Sequence, residues 1–236
     1  MRWALVAPPG SSWESDFVAV LRDLFEHRVV CAREPTDLRD VDCVALCGDE
    51  TWARTFVSQA VAAGTLGRAV AEHASEGGLL LAIGAGFGAA CSLGLLPGRL
   101  VPNEPEGFLG RMLPLRVEGV ANAWAERAMV GDVWRLPVRS AAARFVAAKS
   151  ELDQLDRDGL VLLRFTEDAV GSDRDIAAIM SPRRNVLGIA VHPENVVDAS
   201  LVEPQWPGLD SGRILFESIA DWVDVGAHRG SIESER

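Results

Sequence analysis

The chain contains a series of short, continuous apolar runs separated by segments with helical spacing, and this pattern restricts the folds open to it. Four such runs lie in the first half of the chain, at residues 3–7, 28–32, 43–47 and 79–83. Ser11 and Glu14 have the spacing of a capping box at the start of one helical segment, and a second helix is predicted from about 53 to 75. Strands that are buried on both faces have continuous apolar sequences. The pattern therefore predicts an α/β fold with a mostly parallel sheet and helices on both faces.

The second half of the chain contains more strands and ends in one amphipathic helix. Apolar runs at 113–117, 133–138, 160–165, 176–180 and 186–191 follow one another closely enough to predict hairpins, and so an antiparallel extension of the sheet. The last helix is expected at about 211–223, and the polar residues after it are expected to be flexible. No linker interrupts the pattern. We therefore expect a single domain over residues 1–225 and a flexible tail over 226–236.

Composition and charge exclude several classes of function. The net charge of −11 gives a surface that repels phosphate backbones, so a nucleic-acid-binding protein is not expected. The chain shows neither a signal-peptide pattern nor an apolar run that could span a membrane, which predicts a cytoplasmic protein. Its four cysteines, Cys31, Cys43, Cys47 and Cys91, lie in apolar segments without CxxC spacing. They are expected to be reduced and buried rather than metal ligands, and no cofactor is predicted.

Two local motifs have residue types suited to catalysis. The turn Gly84-Ala85-Gly86 joins the apolar run 79–83 to a helix, which is the geometry of a nucleophile elbow. Backbone amides at the start of such a helix also stabilise an anion. His192-Pro193-Glu194 directly follows the run 186–191, and a histidine oriented by a nearby carboxylate can act as a general base.

The glycine turn also matches a second, less specific pattern. Gly84, Gly86 and Ala89 fit the loose dinucleotide-binding fingerprint G-x-G-x-x-G/A. However, the turn follows the fourth predicted strand instead of the first, and the acids at a suitable distance, Glu104 and Glu106, lie in a proline-containing loop. Dinucleotide binding is therefore disfavoured.

Further motifs follow in the order and spacing of one enzyme family. They are VAPPGSS at 6–12, TDL at 36–38 with VALCG at 44–48, LLPG at 95–98, LPV at 136–138, GS and DIA at 171–177, NVLG at 185–188 with HPE at 192–194, and LFES at 215–218. From about residue 3 to 223 the chain resembles the class I (triad) glutamine amidotransferases of the PurQ type, the glutaminase subunit of phosphoribosylformylglycinamidine synthase. The resemblance implies a flavodoxin-like α/β fold, a role in purine biosynthesis, no cofactor, and a PurL-like synthetase as partner.

The chain departs from the family pattern at the elbow itself. The family elbow G-I-C-N-G-F-Q corresponds to residues 82–88, so the nucleophilic cysteine falls on Gly84 and the glutamine of the motif on Gly88. Within the triad, the resemblance leaves only His192 and Glu194 as catalytic residues. A triad without its nucleophile implies a glutaminase that has lost its activity.

Departures also occur around the oxyanion pocket. The resemblance assigns Gly48, Asp49, Ala85 and Gly86 to this pocket, and an acid at Asp49 would oppose a developing oxyanion. The family stretch A-H-G-E-G corresponds to residues 139–143, where Ser140 and Ala142 replace both polar groups. These losses argue against glutamine binding.

Three functions remain open from the sequence. The first is a non-catalytic partner or regulatory subunit of a PurL-like synthetase. The second is an active glutaminase subunit that uses an unconventional thiol, Cys47, at the end of a neighbouring strand. The third is a small-ligand-binding enzyme of altered chemistry, with Arg54, Asp49, Arg139 and His192 around the emptied pocket.

Overall fold

A computed structural model describes residues 1–60, 64–198 and 211–234, with side chains of the last helix described as far as Val225. Within these residues nine strands form one sheet in the order β2-β1-β3-β4-β11-β10-β9-β6-β7, and β5 and β8 form a separate two-stranded sheet. The strands are β1 Arg2–Val6, β2 Arg28–Cys31, β3 Cys43–Leu46, β4 Leu79–Ile83, β5 Arg99–Val101, β6 Leu109–Val117, β7 Val133–Ser140, β8 Arg144–Val146, β9 Val161–Phe165, β10 Ile176–Met180 and β11 Val186–Ile189.

The large sheet has a parallel half and an antiparallel half. Strands β2, β1, β3, β4 and β11 pair in parallel, whereas β10, β9, β6 and β7 continue the sheet by antiparallel pairing. All residues of β3 are buried, as the continuous apolar runs indicated. The predicted α/β class with an antiparallel extension is confirmed, and the extension contributes as many strand pairings as the parallel part.

Six helices pack against this sheet in the described residues. They are α1 Ser12–Val18, which continues as a π-helix over Ala19–Leu24, α2 Glu50–Gln59, α3 Leu66–Glu76, α4 Ala85–Ser92, α5 Lys149–Arg157 and α6 Ser211–Ser234. Phe216 of α6 lies with its ring centroid 6.1 Å from those of both Trp3 in β1 and Phe17 in α1. All three side chains are fully buried, so this aromatic cluster fixes α1 and α6 on the sheet.

Several predicted element boundaries are wrong. The single helix predicted over 53–75 is two helices, because Gly64 has φ +75° and Thr65 caps α3 by accepting the Arg68 N–H. Strands β5 and β8 and helix α5 were not predicted, and the last helix continues to Ser234 instead of ending near 223. No described helix is both long and apolar enough to cross a membrane.

The parallel half of the sheet determines where a site can form. Strands β3, β4 and β11 are adjacent and parallel, so their carboxyl ends lie at the same edge. Cys47 and Gly48 follow β3, Gly84 follows β4, and His192 lies three residues after β11. Segments that are far apart in sequence therefore meet at this edge, where open α/β sheets bind ligands.

Candidate active site

Gly84 forms a tight strand-to-helix turn between β4 and α4. Its φ of 54° and ψ of −119° lie in a region that side-chain-bearing residues rarely adopt, and its N–H donates to the Ile189 carbonyl at 2.9 Å. A Cβ atom on Gly84 would lie 3.3 Å from Cε1 and 3.4 Å from Nε2 of His192. The turn therefore has the backbone of a nucleophile elbow, with its empty side-chain position directed at an imidazole.

His192 and Glu194 form a buried pair beside this turn. The imidazole Nδ1 lies 2.7 Å from Glu194 Oε1, and the two residues are 5% and 8% exposed. The His192 backbone N–H donates to the Pro137 carbonyl of β7 at 2.9 Å, which anchors the histidine to the antiparallel half of the sheet. Since a carboxylate only accepts hydrogen bonds, Nδ1 carries the proton and Nε2 is directed toward Gly84. This is the arrangement of an oriented general base.

A cavity of about 220 Å³ lies above the elbow. We call it the elbow cavity; its lining residues are Trp13, Gly48, Asp49, Glu50, Gly84, Ala85, Phe108, Arg139, Ser140, Ala141 and His192. The Trp13 ring centroid lies 6.1 Å from that of His192. The Arg139 guanidinium lies 5.6 Å from the Trp13 centroid, and its Nη1 donates to Asn195 Oδ1 at 2.8 Å. Trp13 and Arg139 thus form one wall of the cavity.

The residues predicted for the oxyanion pocket do not all line this cavity. Gly48 and Ala85 do, and so does Asp49, whose carboxylate accepts the Trp52 N–H at 2.9 Å as the N-cap of α2. Gly86 instead packs against β3, where a Cβ atom would overlap the Leu46 carbonyl oxygen. The Trp52 ring packs over Gly48 and does not enter the cavity.

A second cavity of about 350 Å³ lies next to the first. This tail cavity, as we call it, is lined by Glu50, Ala53, Arg54, Val57, Ser58, Ala85, Gly88, Ala89, Ser92, Leu100 and Ala142. Both of the altered motif positions Gly88 and Ala142 are therefore at one site. Arg54, which the sequence placed with His192, lies here instead of in the elbow cavity.

Ser140, the remaining altered position, lines the elbow cavity. Its hydroxyl accepts the Ala142 N–H at 2.9 Å and lies 3.4 Å from Glu50 Oε1, to which it donates. Glu50 lines both cavities. A polar contact thus joins α2 to the end of β7 beside the elbow cavity.

Sequence comparison identifies the family. Residues 12–223 match the model of the CobB/CobQ-like glutamine amidotransferase domain. The phosphoribosylformylglycinamidine synthase subunit PurQ of a Nostoc species is 33% identical, over 94% of this chain and 98% of its own length. The chain belongs to the PurQ family of glutamine amidotransferases. The PurQ subunit of Salinibacter ruber is 32% identical over 96% of this chain.

Solved structures agree with the fold of a PurQ-family protein. A chain in the structure of PurLQS from Thermotoga maritima superposes with a TM-score of 0.78 at 24% identity, over 94% of this chain and 98% of its own. The glutaminase domain of Trypanosoma brucei CTPS with bound acivicin superposes with a TM-score of 0.56 at 12% identity. At these identities the likeness shows the fold alone.

The cysteines of this PurQ-family chain are poorly placed for catalysis. Cys47 is 2% exposed, and burial, then the charge of Glu194, raises the pKa of its thiol well above the ordinary value. Among the described residues no hydrogen bond joins Cys47 Sγ to His192. Burial likewise raises the pKa of Cys91 to about 12, and its Sγ donates to the Pro97 carbonyl. No group of three or more His, Cys, Asp or Glu side chains in the described chain is arranged to hold a metal.

Sequence reasoning missed three residues of the elbow cavity. Trp13 comes from α1, Glu50 begins α2, and Phe108, which is 71% exposed, precedes β6. Glu50 and Phe108 lie in stretches that correspond to family motifs, and Trp13 directly follows one, but none of the three residue types indicated chemistry at its position.

Proposed function

We propose that this PurQ-family chain has lost glutaminase activity and acts as a non-catalytic partner or regulatory subunit of a PurL-like synthetase. The observation that supports the proposal is the elbow: the position whose Cβ would face His192 is Gly84, which has no side chain to attack an amide. Losing a covalent nucleophile costs on the order of 10⁶-fold in rate. His192 and Glu194 remain as a base without a nucleophile to activate.

The surroundings of the elbow also favour loss of glutamine turnover. Three positions correspond to polar groups of the family motifs. Gly88 and Ala142 line the tail cavity without offering a side-chain hydrogen bond, and the Ser140 hydroxyl already donates to Glu50. The amino-acid head of glutamine would lose hydrogen bonds to water on entering and gain few in return, so its binding would be weak.

An active enzyme that uses Cys47 is the less favoured alternative. A thiol reacts as its thiolate, and burial raises the pKa of Cys47 well above the ordinary value. The amides at the start of α4 would lower the pKa of a thiol at the elbow. They follow Gly84 at the end of β4, whereas Cys47 lies at the end of the neighbouring strand β3.

The subunit role rests on the extent of the likeness to relatives. The Nostoc relative is named as a subunit of phosphoribosylformylglycinamidine synthase, and 98% of its length aligns with 94% of this chain. A chain that retains the family fold but lacks the nucleophile can still stabilise or regulate a synthetase that makes formylglycinamidine ribonucleotide. Ammonia would then come from solution or from a second glutaminase.

The test combines co-purification with two assays. The chain and a PurL-like synthetase from the same genome are co-expressed, and glutamine hydrolysis and ammonia-dependent synthesis are each measured. We expect a stable complex, ammonia-dependent synthesis, and no glutamine hydrolysis above the blank. Failure to form a complex would remove the subunit role. Glutamine hydrolysis that disappears in Cys47→Ala would establish the thiol alternative instead.

A further inference from the structure

The two edges of the large sheet differ in what covers them. At the β7 edge, the Arg135 N–H donates to Ser211 Oγ at 3.1 Å, and the Pro137 carbonyl accepts the His192 N–H. Strand β2 forms the other edge, and among the described residues it pairs only with β1. An edge strand without a cover presents unpaired N–H and carbonyl groups to any strand that lies beside it. The β2 edge is therefore where another chain could extend this sheet.

The backbone groups of β2 alternate between the sheet and the open edge. The N–H groups of Arg28 and Ala32 donate to carbonyls on the β1 side, so the even-numbered residues of this strand bond toward β1. Val29 and Cys31 therefore direct their N–H and carbonyl groups outward. In the part of the chain that the structure describes, these four groups have no hydrogen-bond partner. The open edge thus offers two donors and two acceptors within three residues.

Strand β2 has few of the features that block an edge. Proteins protect open edges with proline, lysine or a β-bulge, or by keeping the edge strand very short. The sequence of β2, RVVC, contains neither proline nor lysine, its one charged residue is Arg28 at the first position, and its pairing with β1 runs in unbroken register. Its length of four residues does limit pairing. A partner strand would form few hydrogen bonds here, which predicts a weak and reversible association.

Val30 is the apolar side chain at the centre of this edge. It lies between the two outward-facing residues Val29 and Cys31, and its neighbour in β1 is Ala4. Val30 is half-buried, but unlike Val29 it is not among the partly buried side chains that pack against the core. β-Branched side chains in a sheet gain stability from a partner on the adjacent strand. A strand paired at this edge would supply that partner.

We propose that the β2 edge pairs with the β2 edge of a second copy of this chain, antiparallel and about a two-fold axis at Val30. In this register Val29 of each copy lies opposite Cys31 of the other, and each such pair exchanges two hydrogen bonds. All four outward groups of each copy are then satisfied, as a self-complementary two-fold interface requires. The two Val30 side chains face each other as a non-hydrogen-bonded pair, where side chains approach closely.

The hydrogen bonds next to β2 disfavour other antiparallel registers. A two-fold axis at Cys31 would place Val29 opposite Arg33, whose N–H already donates to Asp37 Oδ2 at 2.8 Å. An axis at Val29 would place Cys31 opposite His27, whose N–H already donates to the Leu21 carbonyl at 2.8 Å. In both cases an outward carbonyl loses its donor. The axis at Val30 is the register that uses only unpaired groups.

Pairing at this edge leaves the candidate active site open. The strands of two antiparallel copies run in opposite directions, so the carboxyl edges with Gly84 and His192 point away from each other. Each copy could still contact a synthetase at its own site. The inference goes beyond the proposed function, because it requires neither loss of glutaminase activity nor a synthetase. The two proposals therefore fail independently.

The first test is sedimentation velocity of the full chain alone, over about a hundredfold range of concentration and at physiological salt, which screens the net charge of −11. We expect a reversible monomer–dimer equilibrium. Val30→Lys should weaken dimerisation at least about tenfold, because two like charges would lie opposite each other on the axis and the valine contact would be lost. Val30→Thr keeps the shape and the β propensity and should retain the dimer.

The matched control is Val130→Lys, which adds the same charge to an exposed valine of the turn between β6 and β7. This variant should leave the equilibrium unchanged. A monomer at every concentration would overturn the proposal, and so would a dimer that both lysine variants weaken equally or that only Val130→Lys weakens. Because Val30 does not pack against the core, the variants at this position are expected to fold, which far-UV circular dichroism checks.

Disulfide cross-linking tests the register. With oxidised glutathione, the double variant Val30→Cys/Cys31→Ser should form a covalent dimer, because the Cα atoms of a non-hydrogen-bonded pair lie about 4.5 Å apart, within the reach of a disulfide. The unmodified chain should not cross-link through Cys31, because the two Cys31 Cα atoms would lie about 8 Å apart. Cross-linking of the unmodified chain through Cys31, or none in the double variant, would contradict the axis at Val30.

Discussion

At Gly84 the chain keeps a backbone conformation that glycine adopts without strain and that other residues adopt at a cost. In such a region a residue with a side chain has a conformational strain energy of about 1–3 kcal/mol. Glycine at this position removes that cost, and it leaves the geometry of the turn, with its empty side-chain direction 3.4 Å from His192 Nε2, intact. The structure can therefore accommodate a cysteine at residue 84 if the His192 imidazole shifts by a few tenths of an ångström.

Gly84→Cys should give a thiol far more reactive than any native cysteine. The new Sγ would lie next to His192 and the start of α4, both of which lower a thiol pKa. Burial raises the pKa of all four native thiols, Cys31, Cys43, Cys47 and Cys91. We expect alkylation of residue 84 by iodoacetamide at pH 7 to be at least about tenfold faster than that of the native cysteines, as measured by peptide mass spectrometry.

The matched control for this variant is Gly88→Cys, one turn later on α4. A Cβ atom there lies 3.9 Å from Leu100 and away from His192. His192→Asn should slow alkylation of Cys at 84 but leave that of Cys at 88 unchanged. The same response at both positions would mean that the imidazole does not activate a thiol at the elbow.

How much of the site the sequence predicts depends on whether a residue belongs to a motif. Gly84, His192 and Glu194 end or follow continuous apolar strands, and the structure brings them together. Asp49, which is expected to oppose an oxyanion, lines the elbow cavity and also caps α2 by accepting the Trp52 N–H, a role that its sequence position did not indicate. Trp13 and Arg139 contact each other across 126 positions of sequence, a distance at which spacing patterns carry no information.

At the scale of elements, α4 is held to the sheet by a close backbone approach at Gly86. A Cβ atom there would overlap the Leu46 carbonyl oxygen of β3, so Gly86→Ala forces α4 away from the sheet. We expect a loss of about 1–3 kcal/mol in the free energy of unfolding, measured by urea titration. Gly88→Ala in the same helix is the control: its Cβ has room, and alanine should stabilise the helix by about 0.5–1 kcal/mol. Equal changes in the free energy of unfolding for the two variants would mean that α4 does not approach β3 closely at Gly86.

The elements that the sequence predicts are those whose apolar runs are long enough to show a period. Strand β4 matches its predicted bounds of 79–83, because all five residues are apolar and a glycine ends the run. Strands β5 and β8 have only three residues each, and they pair with each other outside the main sheet. Helix α5 buries only Leu152 and Leu155, so its otherwise polar sequence resembles that of a loop.

In the molecule as a whole, the two halves of the sheet contribute different parts of the site. The parallel half supplies the carboxyl edge that carries Gly48, Gly84 and His192. The antiparallel half supplies β7, whose Pro137 carbonyl accepts the His192 N–H and whose end carries Arg139. The parallel half places the imidazole beside the elbow, and the antiparallel half anchors it, so the geometry of the site depends on both halves of the sheet.

The stability of the whole molecule should fall as the pH drops from 7.5 to 5.5. Burial, and then the charge of the amino terminus, lowers the pKa of His27 below 6.5, while the charges of Asp224 and Asp42 act in the opposite direction. The neutral His27 ring accepts the indole N–H of the buried Trp3 at Nδ1, over 3.2 Å. Burial also lowers the pKa of His73, although its bond to the Leu79 carbonyl acts in the opposite sense. The unfolded chain therefore binds protons more readily than the folded chain at these two positions.

The stability that the two histidines contribute is consequently complete above pH 6.5 and is lost as the pH falls through their lower folded pKa values. The fold also shifts the pKa of several carboxyls, thiols and arginines in the described chain. The carboxyls have an ordinary pKa of 4.5 or less and it is lowered further, whereas the pKa values of the thiols and arginines are raised. None of these groups therefore titrates between pH 5.5 and 7.5. Urea titrations at pH 7.5, 6.5 and 5.5 should show a falling free energy of unfolding. The double variant His27→Gln/His73→Gln should be less stable at pH 7.5 and should lose less stability than the unmodified chain over this range. An equally steep fall in the double variant would show that another group controls the acid sensitivity of the fold.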